Sequence, residues 1–356
     1  MAIVLSHTTA LTLLRRLGGP PPALPSAGLP LLAPTDEEAV IAWEKSVGCP
    51  ETLPINTLVA SAAGRARRRV VHSRQHRGAL PDGSLFEVAE GVLCVTPECL
   101  CVQMAPLLTK VELLVLMYEL MGTYSIRTDG ATGMCSRRVP LLTKEALGCY
   151  LGQQPRQRGA RQAEWCLAHA VEGSASPMET RLAIRLSLSP AMGGYGMTVK
   201  AMNQEMRFSG IGGGIPMVRK PDILLAHEGR DGILRSVGIE YDGEGHLDTE
   251  RHMSDILRSN ELAAGGLREF VVSKSLYDND AYLDGLVESV KRELCIPRHH
   301  LTHAEHERRA GLRRELRDEL ALIDGMSWNG RERGRLRGEW GQSDRDEEVP
   351  LEAYGV

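Results

Sequence analysis

Residues 221–246 read PDILLAHEGRDGILRSVGIEYDGEGH, and this stretch decides the fold of the second half of the chain. Two apolar segments, 223–225 and 236–239, flank the sequence HEGRDG at 227–232, which is rich in turn-forming residues. Two short apolar runs joined by such a polar stretch are typical of a β-hairpin. We therefore expect two antiparallel strands here.

Acidic residues stand at the ends of both predicted strands. Asp222 precedes the first strand, whereas Glu240 and Asp242 close the second. Residues two apart on a strand project to the same face, and a hairpin of this length brings Asp222 near Glu240. Three converging carboxylates would repel one another unless a divalent cation neutralised them, and such hard oxygen ligands suit Mg²⁺ or Mn²⁺. The hairpin therefore predicts a metal site and points to phosphodiester chemistry.

Composition limits the possible functions. The chain has 356 residues, which is enough for two domains and a tail, and its net charge of −4 excludes a uniformly basic nucleic-acid binder while allowing local basic patches. Aromatic residues make up only 4%, so stacking on exposed bases is not expected as a major binding mode. The eight cysteines include no CxxC pair, which favours reduced thiols. No apolar run approaches the roughly 18 residues of a membrane span, and the start does not resemble a signal peptide, so we expect a cytoplasmic protein without membrane contact.

The periodicity of the first half changes along the chain. Alternating segments at 53–61, 67–73 and 83–96 predict a small antiparallel sheet. Helical patterns then follow, and the sequence EGSASP at 172–177 forms the best domain boundary. Helices are expected at 6–18, 36–45, 97–105, 110–122, 143–151 and 163–171.

The second half opens with a strong helix start. Ser176 is a candidate N-cap, Pro177 takes the first helical position, and Glu179 stands at the capping-box position, so capping is its simplest role. After the hairpin we expect a helix at 249–264 and a return strand at 267–273. This order of helix, two strands, helix and strand is that of a compact α/β nuclease core.

The end of the chain is highly charged and poor in apolar residues. Residues 308–323 predict a solvated helix, and disorder is expected after Asn329. The whole chain is therefore predicted to be an α/β (α+β) protein with three parts. These are a smaller α+β domain at 1–175, a mixed sheet flanked by helices at 176–295, and a charged tail at 296–356.

Five short motifs occur in one order in the second half. They are SPMETRL (176–182), PDILL (221–225), GIEYDGEGH (238–246), DILRSNEL (255–262) and EFVVS (269–273). Together they resemble the very-short-patch-repair-like endonuclease domain of the PD-(D/E)XK nuclease superfamily, which implies a restriction-endonuclease-like core. The first half, as far as GTYS at 122–125, is similar to the amino-terminal region of bacterial AbiEi-type antitoxin-like proteins. That second resemblance implies a possible toxin or other protein partner.

The nuclease resemblance implies roles for individual residues. It assigns Asp222 as the metal-binding aspartate and Glu240 as the second acidic ligand, with Glu179 reaching the metal through water. Asp242 stands where the fuller pattern has a lysine, so it can add a metal ligand but cannot supply positive charge to the phosphate. His246, with an unperturbed pKa of about 6.5, could act as general base or bind the phosphate.

Arginines at two places in the sequence are candidates for nucleic-acid contacts. Arg258 lies three residues after Asp255 on the predicted helix, where the two could form an ion pair or Arg258 could contact a DNA phosphate. The second group comprises Arg67, Arg68 and Arg69. These arginines could bind phosphates, or they could be a solvated edge that discourages sheet aggregation.

The sequence thus leaves three hypotheses. The leading one is a metal-dependent DNA endonuclease or nickase in DNA repair or phage defence. The second is a catalytically inactive DNA-binding regulator of antitoxin type, and the third is a protein-interaction module that uses the nuclease fold as a scaffold. The acidic residues with His246 favour the first hypothesis, and the missing lysine favours the other two.

Overall fold

The computed structural model describes residues 2–25, 28–47, 53–127, 133–136, 138–208, 217–243, 267–297, 300–328 and 330. These residues form an α+β fold with mixed sheets flanked by helices, as the sequence predicts. Within them, no helix is both long and apolar enough to cross a membrane.

The first half is built on a five-stranded sheet of order β3-β2-β1-β5-β4. Its strands are β1 (Ile3–Leu5), β2 (Ile55–Val59), β3 (Val71–Gln75), β4 (Leu85–Ala89) and β5 (Val92–Val95). The prediction of an antiparallel sheet was wrong, because β1 runs parallel to β5 and β2 runs parallel to β3. The alternation that indicates a strand carries no information on its direction. The sequence also did not indicate β1, whose three residues are too short to show a period.

Helices pack around this sheet. They are α1 (His7–Leu14), α2 (Asp36–Val47), α3 (Pro97–Met104), α4 (Lys110–Leu120), α5 (Lys144–Gly152) and α6 (Ala160–His169). A short hairpin of β6 (Tyr124–Ile126) and β7 (Met134–Ser136) follows α4. Every residue of α4 after Lys110 is buried, and its start is closed by a reciprocal capping box between Thr109 and Glu112. A helix that is buried all round is a central element of the core.

The second half carries a four-stranded sheet of order β13-β12-β11-β8. The elements of the second half are α7 (Pro177–Ser187), a 3₁₀ turn (Pro190–Met192), β8 (Val199–Met202), β9 (Met206–Phe208), β10 (Met217–Arg219), β11 (Ile223–Glu228), β12 (Leu234–Asp242), β13 (Arg268–Ser273), α8 (Lys274–Tyr277), α9 (Asp280–Glu293) and α10 (His303–Leu322). Strands β9 and β10 pair with each other in a separate two-stranded sheet. The β11–β12 hairpin and the return strand β13 are confirmed. The sequence did not indicate β8, which has four residues and an irregular register opposite Leu224 and Leu225. The helix predicted at 249–264 lies outside the described residues.

Buried contacts cross the boundary predicted between residues 175 and 176. Helix α7 packs against α4. The Tyr124 hydroxyl hydrogen-bonds the Thr180 hydroxyl at 3.0 Å, and Ser174 Oγ contacts the same Thr180 oxygen at 2.8 Å. The two halves therefore share one hydrophobic core. The domain boundaries themselves stay a prediction.

The helix predicted at 308–323 is confirmed as α10, but it is not solvated all round, because one side of it packs against the protein. Leu316 and Leu320 are buried. Arg313 pairs with Asp284 of α9 at 3.1 Å, and Arg317 pairs with Asp280 at 2.5 Å. The charged composition of this segment did not indicate that one side of the helix packs against the protein. Arginine side chains can do so, because their apolar stems cover apolar surface while their charged ends form ion pairs. The disorder predicted after Asn329 falls outside the described residues, apart from residue 330.

A buried ion pair joins α4 to the residue that follows α1. Arg15 donates from Nε to Glu119 Oε1 at 2.7 Å and from a terminal nitrogen to Oε2 at 2.6 Å. Glu119 Oε1 also accepts the backbone N–H of Ile126 at 2.9 Å. Glu119 is fully buried and Arg15 is nearly so. Each charge is therefore tolerated inside the protein only because the other is present.

Replacement of Glu119 by alanine leaves the Arg15 charge buried without its partner. We expect the free energy of unfolding to fall by about 3–5 kcal/mol, the range for breaking a buried pair from one side. Urea unfolding followed by circular dichroism measures this loss. The matched control is Glu44→Ala on the exposed face of α2, for which we expect a change within about 0.5 kcal/mol. Equal stability of the two variants would contradict the assigned role.

Candidate functional site

The register of the β11–β12 hairpin sets the position of the acidic residues. Ile223 pairs with Ile239, and Leu224 pairs with Gly238. The next step in the same antiparallel register places Asp222 opposite Glu240, and such opposite residues share one face of a sheet. The Asp222 carboxylate also accepts the backbone N–H of Tyr241 at 2.7 Å. The side chain of Asp222 is therefore bound to the strand that carries Glu240.

The two faces of this sheet have different surroundings. Ile223, Leu225 and Ile239 belong to the main hydrophobic core. Leu224, on the other face, belongs to a small separate cluster with Leu267. Because side chains alternate along a strand, Asp222 and Glu240 lie on the face of Leu224, away from the main core. Both are half-buried, whereas Asp242 is exposed at the end of β12, beside Ser273 of β13.

Glu179 in the first turn of α7 has two kinds of contact. Its backbone N–H donates to Ser176 Oγ at 3.2 Å, so Ser176 is the N-cap, whereas its Oε2 accepts the backbone N–H of Ala175 at 2.9 Å, one residue before the N-cap, and does not close the predicted capping box. The same Oε2 accepts a 2.6 Å hydrogen bond from the side-chain amide of Asn203. Glu179 is only 7% exposed. The side chain therefore connects the start of α7 with the residue that follows β8.

The electrostatics of Glu179 connect it to Asp222. Burial raises the pKa of the Glu179 carboxyl, and the negative charge of Asp222 raises it further. Hydrogen bonds from Ala175, Asn203 and Ser176 act in the opposite direction. Asp222 is thus near enough to disfavour a second negative charge at Glu179. The helical glutamate and the strand aspartate share one electrostatic environment although they are 43 residues apart in the sequence.

The remaining predicted residues fall into two sets. His246 and Arg258, together with Asp255, lie outside the described residues. Arg67, Arg68 and Arg69 are exposed on the connection between β2 and β3, on the other sheet. Arg68 is engaged locally, because its guanidinium lies 3.3 Å from the Asp36 carboxylate and donates to the Pro34 carbonyl.

Sequence reasoning missed two residues beside the acidic group. Asn203 has a left-handed backbone with φ of 50°, which asparagine tolerates better than most residues, but no spacing in the sequence relates it to Glu179. Glu269 of β13 pairs with Gly238. A Cβ on Gly238 would lie 2.8 Å from Glu269 Cγ, so this glycine makes room for the glutamate. The sequence could have indicated Glu269 as a site residue, because it is an acidic residue inside an apolar strand, as Glu240 is.

A divalent cation at this group would have few protein ligands. Within the described part of the chain, no three His, Cys, Asp or Glu side chains form a group that could hold a metal ion, so Asp222, Glu240 and Asp242 are not such a group. Mg²⁺, however, is usually bound through one or two carboxylates together with water and substrate phosphates. Opposite residues on paired strands have Cβ atoms about 4.5–5.5 Å apart, so Asp222 and Glu240 suit that pattern. The metal assignment stays a prediction.

Comparisons of the chain with protein-family models, with curated proteins and with solved structures find no match. The resemblance to very-short-patch-repair-like endonucleases therefore rests on the ordered motifs and stays a prediction. The same holds for the resemblance of the first half to AbiEi-type antitoxin-like proteins.

Proposed function

We propose that the protein is a metal-dependent DNA endonuclease or nickase of the cytoplasm that hydrolyses phosphodiester bonds in DNA repair or phage defence. One observation supports this most strongly. Glu179 of α7 lies near enough to Asp222 for the Asp222 charge to raise its pKa, and Asp222 stands opposite Glu240 of β12 in the hairpin register. Like charges that are partly removed from water repel one another, and a bound Mg²⁺ or Mn²⁺ would offset that repulsion.

In this proposal Asp222 and Glu240 are the metal ligands. The backbone N–H of Tyr241 holds one Asp222 oxygen, which fixes the orientation of the carboxylate. A divalent cation bound there would lower the pKa of water and polarise a phosphoryl oxygen. Glu179 is suited to accept a proton from water, because burial and the charge of Asp222 raise its pKa above the ordinary value of a glutamate. His246 is the second candidate for the group that accepts this proton.

Asp242 sets the main difference from the fuller PD-(D/E)XK pattern. It is exposed and carries a negative charge at the position where the pattern has a lysine. It cannot balance the charge that develops on a phosphate in the transition state. In the proposal Arg258 balances the charge that develops on the phosphate, and Asp242 takes no part in binding the leaving group.

The proposal is tested by incubating purified protein with supercoiled plasmid in Mg²⁺ or Mn²⁺. We expect conversion of the plasmid to nicked or linear forms, and its loss on addition of EDTA. The double variant Asp222→Ala, Glu240→Ala should lower the rate at least about 100-fold, because even partners that only support metal ligands contribute about 10–100-fold. The rate of plasmid conversion is read from gel densitometry.

The matched control is Glu228→Ala, which removes an exposed carboxylate at the opposite end of β11. Its rate should equal that of the unchanged protein. Cleavage that persists in the double variant would indicate a contaminating nuclease or another site. DNA binding without cleavage, equal in all variants, would contradict the proposed activity.

A second candidate function is a catalytically inactive DNA-binding regulator of antitoxin type, with a toxin or other protein as partner. The observation that favours it is the exposure of Arg67 and Arg69 beside the edge strand β3, combined with the negative charge at Asp242. Positive side chains at such an edge can contact phosphates without reading the sequence. In this function Arg68 contributes less, because it is held by Asp36 and Pro34.

The arginine contacts are tested by the salt dependence of DNA affinity. The observed binding constant falls with salt with a logarithmic slope of about 0.9 per phosphate contact on duplex DNA. The double variant Arg67→Ala, Arg69→Ala should therefore reduce the slope by about two. Arg68→Ala is the matched control and should leave the slope nearly unchanged. Fluorescence anisotropy over a salt series measures the slopes, and equal slopes for all variants would remove these arginines from the interface.

A further inference from the structure

Asn203 contacts both segments that carry the central acidic residues. It follows β8, and it forms three hydrogen bonds that lead to Glu179 and to the start of β11. We infer that Asn203 is a positioning residue of the acidic site, which holds the Glu179 and Asp222 carboxylates in a fixed relation for metal binding. This inference rests on the proposed function and assigns a residue to it that the sequence motifs do not contain.

The side chain of Asn203 acts on Glu179. Its amide nitrogen lies 2.6 Å from Glu179 Oε2, a short distance typical of a hydrogen bond to an ionised carboxylate. An amide stabilises the carboxylate by its dipole and adds no positive charge. A lysine or arginine at this place would neutralise Glu179 and weaken the attraction of the site for a cation. Asparagine therefore orients Glu179 and preserves the negative charge of the site.

The backbone of Asn203 acts on the strand that bears Asp222. Its N–H donates to the carbonyl oxygens of both Pro221 and Asp222, at 3.1 Å each. Asp222 in turn accepts the N–H of Tyr241 on β12. Since one residue contacts the helix glutamate through its side chain and the aspartate peptide through its backbone, a displacement of Asn203 would change the separation of the two carboxylates.

Gly173 allows this arrangement. It has φ of 92°, and a Cβ at this position would lie 2.7 Å from the carbonyl oxygen of Met202, the residue before Asn203. The segment that leads into α7 therefore touches the backbone at the end of β8 directly. Only glycine permits both the backbone angle and the close approach. This contact places Asn203 within reach of Glu179.

A purely structural role would have different consequences. A residue that only ends β8 in a left-handed conformation would affect stability when replaced, but it would not affect metal affinity in a folded protein. Glycine adopts φ of 50° without strain, so Asn203→Gly keeps the backbone and removes only the amide. Metal affinity of this variant therefore separates the two roles.

The experiment measures Mn²⁺ binding to the full chain by electron paramagnetic resonance. We expect Asn203→Gly to bind Mn²⁺ about 10-fold more weakly, because Glu179 would reach the metal through water and such outer partners contribute about 10–100-fold to metal affinity. The matched control Gln204→Gly makes the same change at the next residue, which is exposed, and should bind Mn²⁺ like the unchanged protein. Thermal unfolding of both variants verifies that each is folded.

A double-mutant cycle identifies the route of the effect. If Asn203 acts through Glu179, then Asn203→Gly should cause little further loss of Mn²⁺ affinity in a protein that already carries Glu179→Gln. The inference would be overturned if the losses of Mn²⁺ affinity multiply in the double variant, or if folded Asn203→Gly binds Mn²⁺ as tightly as the unchanged protein. In either case the proposed function would stand. Absence of Mn²⁺ binding by the unchanged protein would overturn the proposed function, and the inference with it.

Discussion

The pairing of Ile223 with Ile239 is the constraint on which the candidate site depends. Because strand side chains alternate, this register directs Ile223, Leu225 and Ile239 into the main core and leaves Asp222 and Glu240 on the other face. A slip of one residue would exchange these sets and would bury a carboxylate in an apolar environment. The free energy of core packing therefore also fixes where the acidic groups lie.

Neutral donors supply three hydrogen bonds to Asp222 and Glu179. Tyr241 donates a backbone N–H to Asp222, while Ala175 and Asn203 donate to Glu179. Backbone and amide dipoles can hold a carboxylate in place without cancelling its charge. This differs from the buried Arg15–Glu119 pair, where charges of opposite sign neutralise each other and serve stability. Glutamate thus has two different environments in this chain: Glu179 is held by neutral donors, and Glu119 is paired with a positive charge.

Sequence reasoning succeeded where the determining interactions are local. The hairpin followed from two apolar runs around a turn, and the start of α7 followed from Ser176, Pro177 and Glu179. It failed for β1 and β8, which have three and four residues and therefore show no period. The parallel pairing of β2 with β3 depends on the path of the chain between them.

The candidate site shows the same limit. The placement of Asp222 opposite Glu240 was predictable, because acidic residues stood at the ends of two apolar strands joined by a turn. Asn203 was not predictable, since its contact with Glu179 arises from the approach of Gly173 to the end of β8. The docking of α10 was also hidden, because its arginines find their partners on α9.

The contacts at the start of α4 have a consequence for synthesis of the protein. The Thr109 hydroxyl donates to Glu319 of α10 at 2.8 Å, across 210 residues. Glu112 accepts the N–H of Gly330 at 2.8 Å, across 218 residues. A chain emerging from the ribosome completes α4 early, yet these partners are translated much later. Helix α4, which is buried all round, therefore acquires these hydrogen bonds only after residue 330 has been translated.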